Sequence, residues 1–229
     1  MEISSILMMA GIFVLLYIIY YYYFSSSSML MSSVIAGNQI TTIDVSKIDN
    51  GLAGSVNFAY SLWFNINDWN YLYGRPKPLF RRQTATANKF TPYAKFDSNT
   101  NNLLIDITCA GNTNTYTVSN IPIQKWVHLV ISVYGKSLDV YLNGKLVNTF
   151  VLPGVPDVDK TQQIVICPDG GFNGWVTKFE FWASSMDPQT AWNIYKSGNG
   201  SSIFNSLFGN YGVKLALLNN NVEQNSITI

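Results

Sequence analysis

Charge is scarce in this chain: 12% of its 229 residues are Asp, Glu, Lys or Arg, and they balance to +1 at neutral pH. So small a net charge names no partner through global electrostatics. There is one histidine, His128, and there are two cysteines, Cys109 and Cys167. A lone histidine and two thiols with no second pair exclude the usual tetrahedral zinc arrangements. Two cysteines are also too few for a multiply stapled secreted scaffold, although they leave open one disulfide. Runs rich in Ala, Glu and Lys, the usual material of amphipathic helices, are missing. Asn, Ser and Thr supply most of the polarity instead, and 14% of the residues are aromatic. That mixture favours strands joined by turns.

What is present begins with residues 6–24, ILMMAGIFVLLYIIYYYYF, a run without charge or proline. As a helix it would measure roughly 28 Å, about the hydrocarbon thickness of a bilayer. It reads as an uncleaved N-terminal anchor. Ile6, Phe13, Leu16 and Ile19 would lie in the lipid, with Tyr20, Tyr23 and Phe24 in the headgroup layer, where an aromatic body stays dry and a hydroxyl stays wet. A cleaved signal fits less well, because Glu2 is the only charge before the run and no basic n-region exists. A buried helix of the soluble domain fits less well still. The anchor is taken as residues 1–24, a serine-rich stalk as 25–38, one domain as 39–218 and a polar tail as 219–229. A fully extended stalk would reach at most about 40 Å, which holds the domain close to its membrane.

No Lys or Arg flanks the anchor, so the positive-inside rule is silent on its orientation. The chain has 24 Asn yet a single Asn-x-Ser/Thr acceptor, Asn199-Gly200-Ser201, where chance would give about four. That scarcity leans toward a domain on the cytosolic side of its membrane.

Strands are predicted over residues 39–43, 56–66, 94–96, 103–109, 115–118, 126–134, 138–143, 145–152, 163–166, 174–182 and 213–218. Asn143-Gly144 between two alternating segments predicts a type I′ hairpin turn. A helix is predicted over 187–195, with Asp187 as its cap and Pro188 in its first turn. Many short strands with hardly a helix predict an all-β, two-sheet antiparallel jelly-roll sandwich.

Three segments carry a family resemblance. They are FAYSLWFNINDW from Phe58, KWVHLVISVYGKSLDVYLNGKLV from Lys125 and GFNGWVTKFEFWASSMDPQTAWNIYKSG from Gly171. In order and content they resemble the laminin-G-like branch of the concanavalin A-like lectin/glucanase superfamily. The resemblance implies the two-sheet sandwich and implies no function by itself. Its signature positions here are Trp63, Trp126, His128, Tyr141, Asn143, Gly144 and Trp175. The three tryptophans are expected to fill the space between sheets about 10 Å apart, and His128 to be a packed, structural side chain. Behind an anchor, such a domain also looks like the small lectin-fold proteins of large double-stranded DNA viruses that have an internal membrane. That likeness implies a minor capsid protein on the virion's internal membrane, with the domain facing the shell.

The acid pair of the glucanases, of the type E-x-D-x-x-E, is missing, and Asp139 and Glu180 are isolated on separate strands. The chain is therefore read as not an enzyme, with no catalytic residue and no cofactor. Calcium is the one metal left open, through the loop carboxylates Asp157, Asp159 and Asp169. The most unusual local chemistry lies at residues 69–95, where Arg75, Lys77, Arg81, Arg82, Lys89 and Lys95 occur without an acid. Trp69, Tyr71 and Tyr73 accompany them. This stretch is a candidate contact patch for the bilayer or for a capsid or other membrane-associated protein. The rest of the chain has 8 basic against 13 acidic residues, which argues against nucleic acid. The alternative reading is a membrane-anchored lectin that binds glycans.

Overall fold

The computed structural model describes residues 11–17, 29–48, 54–199, 214–219 and 222–228. Thirteen of its strands make two antiparallel sheets. In chain order these are β1 (Met29–Met31), β2 (Ile35–Ala36), β3 (Thr41–Ile43), β4 (Phe58–Asp68), β5 (Lys77–Gln83), β6 (Phe90–Phe96) and β7 (Leu103–Cys109). They continue as β8 (Asn112–Val118), β9 (Trp126–Tyr134), β10 (Ser137–Leu142), β11 (Lys145–Val151), β12 (Ile164–Ile166) and β13 (Asn173–Trp182). The first sheet runs β1-β13-β4-β9-β10-β11, with β2 also on β13, and the second runs β3-β12-β5-β6-β7-β8. The all-β sandwich expected from the sequence is therefore present.

Alternation along β4, β9 and β10 sets the inner face of the first sheet. Tyr60, Leu62 and Phe64 of β4, Leu129, Ile131 and Val133 of β9, and Leu138 and Val140 of β10 meet Phe80, Phe96, Ile105 and Ile107 of the second sheet. Edge-on contacts such as Phe80 to Phe179 at 5.0 Å lock the layers together. The tryptophans are not between the sheets, contrary to expectation. Trp63 and Trp126 alternate with the inward Phe64 and Val127, and Trp175 precedes the inward Val176. All three therefore lie on the outer face of the first sheet, and the phenylalanines fill the core in their place.

A helix, Pro188–Lys196, covers part of that outer face. Its start follows the sequence: the Asp187 carboxylate accepts from the backbone N–H of Gln189 and Thr190, at 2.9 and 3.0 Å, and Pro188 opens the first turn. The Thr190 hydroxyl, which donates to the same carboxylate at 2.6 Å, and then these backbone bonds hold the carboxyl below its ordinary range. Asp187→Ala should cost about 1 kcal/mol in urea unfolding, and an unchanged midpoint would show that packing alone sets this helix. Beneath it lie Ala59, Val130, Tyr141 and Met186. The hairpin turn reaches it too. Asn143 and Gly144 have φ of 50° and 73°, as a type I′ turn requires. A Cβ on Gly144 would sit 2.9 Å from the Trp192 ring.

Three boundaries differ from the sequence reading. Residues 29–31 and 35–36, assigned to the stalk, are edge strands of the first sheet. Residues 77–83, read as part of a basic surface, form the interior strand β5. The segment at 214 does not close the sandwich. It forms β14 (Lys214–Asn219), which pairs with β15 (Val222–Thr228) as a separate hairpin, where a polar tail was expected. Most of the anchor lies outside the described residues, including Ile6, Ile19, Tyr20, Tyr23 and Phe24. Residues 11–17 are helical with exposed side chains, Phe13 and Leu16 among them. No helix among the described residues is long and apolar enough to cross a membrane.

Candidate functional site

The basic stretch does not form one surface. Lys77 and Arg82 are buried, Arg81 and Lys89 are partly buried, and only Tyr73 and Arg75 of the proposed patch stand fully exposed. Lys77 places its Nζ 4.6 Å from the Trp69 ring, and burial pulls its pKa down against the opposing pull of Asp97. Arg82 points between the sheets. Its Nε donates to the Gln162 carbonyl at 3.0 Å, its Nη1 donates to the Tyr60 hydroxyl at 3.5 Å, and its Nη2 has no partner. Tyr71 turns back to donate to the Gly170 carbonyl at 3.2 Å.

The outward basic residues of β5 and β6 are neutralised. Arg81 makes a forked contact with Asp169, at 2.6 and 3.4 Å. Lys95 Nζ lies 2.5 Å from Asp106, whose other oxygen accepts from Thr115 at 2.7 Å. Tyr93 sits between the two cations, 5.8 Å from the Arg81 guanidinium and 4.6 Å from Lys95. The result is a charge-balanced ladder across the outer face of the second sheet. Sequence distance concealed this, because the acids come from β7 and from the turn after β12.

The outer face of the first sheet holds the other polar concentration. Ser61 Oγ lies 2.9 Å from His128 Nε2, the spacing of a nucleophile and its base. Both residues are buried, and His128 Nδ1 has no partner that would orient the ring. Burial, assisted by the charge of Lys178, pushes the imidazole down to about 4. Trp63 packs 5.1 Å from His128 and 5.6 Å from Tyr195 of the helix, which seals the pair from solvent. His128 is thus fully buried and packed against Trp63. Asp139 and Glu180 share this outer face but stand three strands apart, about 14 Å at ordinary strand spacing. That exceeds the roughly 5–9.5 Å that glycoside cleavage requires.

Beyond the helix the same face opens. Register aligns Trp126 of β9, Asn65 of β4 and Trp175 of β13 in one row. Trp175 is 44% exposed, and Trp126 and Asn65 are half-buried. Two tryptophans on strands about 10 Å apart therefore flank Asn65, whose Oδ1 is buried without a hydrogen-bond partner. The flat approach of β13 to β4 depends on Gly174, where a Cβ would fall 1.9 Å from the Asn65 carbonyl oxygen. Sequence reading named both tryptophans but assigned them to the core.

The calcium candidates are occupied separately. Asp157 accepts from the N–H of Ala110 and Gly111, Asp159 from Thr161 and Gln162, and Asp169 from Arg81. Among the described residues no three metal-ligating side chains converge. Cys109 and Cys167 are both free and buried, and burial pushes the Cys167 thiol up to about 12.

The model of the concanavalin A-like lectin/glucanases superfamily, in its laminin G form, matches residues 38–204. The chain belongs to this family. No curated protein matches the chain in sequence. Solved structures share the laminin-G-like sandwich at low identity. The botulinum neurotoxin serotype D binding domain superposes with a TM-score of 0.57 at 14% identity, over 73% of this chain and 41% of that one. The binding domain of neurotoxin DC, solved in complex with rat synaptotagmin II, gives 0.53 at 15% identity, over 73% and 45%. A neurotoxin type C structure, whose cell entry is described as dependent on two ganglioside molecules, gives 0.53 at 17%, over 73% and 45%. This chain thus spans less than half of each of these structures, and the likeness is one of fold.

Proposed function

We propose that this protein is a non-enzymatic binding module that ties a membrane to a protein assembly just above it, as a minor capsid protein would tie an internal virion membrane to its shell. The observation that carries this reading is the position of β1, which starts only five residues after Phe24. Residues 25–28 alone separate the proposed anchor from the sandwich, a reach of about 14 Å in place of the 40 Å of a free stalk. A module held so tightly can engage only what lies next to the bilayer. The separation of Asp139 and Glu180 and the sealing of Ser61 and His128 leave no hydrolytic pair among these described residues. In the test, the full chain should stay with membranes through alkaline carbonate extraction, and Leu16→Lys should release it. Cross-linking of intact membranes or particles should then capture shell proteins as neighbours. Release of the unaltered chain by carbonate, or capture of none but lipid-remote partners, would refute the tether.

A second reading, a membrane-anchored lectin, is favoured by the Trp126–Asn65–Trp175 row. Indoles stack on the C–H faces of sugar rings while an amide reaches hydroxyls. The relatives in complex with synaptotagmin and dependent on gangliosides make both protein and glycan partners reasonable for this sandwich. On a glycan array, binding by the full chain that Trp175→Ala reduces at least tenfold would establish this reading. A blank array with and without calcium would remove it.

A further inference from the structure

A sandwich exposes the outermost strands of its sheets, and proteins ordinarily blunt those edges. Here β1 and β3 have three residues each and β2 has two, too few to template another strand. At the other end of the first sheet, β11 begins with Lys145 and is thrown out of regular register opposite Val140 and Tyr141. The remaining edge, β8, carries none of these protections. Its seven residues, NTNTYTV, contain no charge, proline or glycine, and its pairing with β7 runs unbroken from Cys109↔Asn112 to Leu103↔Val118.

This edge is also self-complementary. Thr113, Thr115 and Thr117 form an exposed row on the outer face, while Asn114 and Tyr116 turn inward, Tyr116 onto Phe150 at 5.1 Å. Antiparallel pairing of β8 with itself about Thr115 sets Thr113 against Thr117 and Asn114 against Tyr116. Outer residues then meet outer, inner meet inner, and no charge faces a like charge. Threonine pairs across strands are favourable, and a pairing with a two-fold axis closes after two copies. We propose that β8 pairs edge to edge with β8 of a second copy of this chain, joining two six-stranded sheets into one continuous sheet. The pairing does not depend on the tether.

The full chain in detergent micelles should show a concentration-dependent dimer in density-matched sedimentation. The double variant Thr113→Glu and Thr117→Glu sets like charges opposite each other at two places and should be monomeric, with the unfolding midpoint the wild type shows when dilute enough to be monomeric. The corresponding double lysine variant should behave the same way, and mixing the two should restore the dimer. Under mild oxidation, Thr115→Cys should cross-link to itself, while Thr113→Cys should cross-link only when mixed with Thr117→Cys. A wild-type chain that is monomeric at every concentration reached would overturn the proposal, leaving the edge to a strand from another protein. Dimers that survive both charge variants, or a mixture that stays monomeric, would overturn it equally.

Discussion

Arg82→Glu is expected to abolish the folded domain, while Arg81→Glu, one residue away, is expected to fold. The two arginines are adjacent on β5 and so point to opposite faces. Arg81 is outward and partly exposed, and its partner Asp169 is well solvated, so losing that pair should cost no more than about 1 kcal/mol. Arg82 is 1% exposed among Tyr60, Phe181 and the Gln162 carbonyl. A carboxylate there would be buried facing the Gln162 carbonyl oxygen, an acceptor against an acceptor. Unpaired buried charge costs on the order of 3–5 kcal/mol, a large share of a domain's total stability. Arg82→Met keeps the length and removes the orphaned Nη2, and should unfold within about 1 kcal/mol of the wild type. Circular dichroism with urea unfolding separates the three. Equal tolerance of glutamate at both positions would mean that Arg82 is not held inside. For the same reason, a surface test of the basic stretch must use Arg75 or Arg81.

Lowering the pH from 7 to 5 should remove about 2 kcal/mol of stability through His128 alone. In the unfolded chain this imidazole takes up a proton near 6.5, whereas burial holds it neutral in the folded chain down to about 4. Between those values unfolding binds a proton, so acid favours the unfolded state. The contribution is fully present above pH 6.5 and falls steadily as the pH drops toward 4. The aspartates whose carboxyls are held low, Asp44, Asp97, Asp159 and Asp187, add their own losses only at lower pH. His128→Gln should be less stable at pH 7 but nearly flat between 7 and 5, in urea midpoints taken at each pH. A variant retaining the wild-type slope would place the titrating group elsewhere.

Much of the sandwich was legible because its strands obey local rules. Leu103–Cys109 and Trp126–Tyr134 are β-branched runs bounded by turn residues, and the structure reproduces both. Asn143-Gly144 and Asp187-Pro188 act through their own backbone geometry, so the turn and the cap were equally readable. What failed depended on partners distant in sequence. KPLFRRQ resembles a basic surface until β12 and β6 enclose it, and only then do Lys77 and Arg82 face inward. Likewise, a tryptophan on an alternating strand does not reveal which face is the core. Both faces of β4 are largely buried, one by the second sheet and the other by the helix. The exposed row at Trp126, Asn65 and Trp175 arises from register, which no single strand encodes.

The place of β13 imposes a timetable on biosynthesis. It is the last strand of the sandwich to be made, yet it lies between the first two strands and β4, and Thr177 reaches back to the Ser32 carbonyl across 145 positions. Until some 180 residues have left the ribosome, β1 and β2 have nothing to pair with and β4 has an open side. Such long-range closure is slow and leaves strand edges open to aggregation while it waits. Residues 6–24, by contrast, emerge before any of these strands. Under the proposed anchoring, the nascent chain would spend this vulnerable interval fixed in place, diluted among lipids and spaced from its siblings.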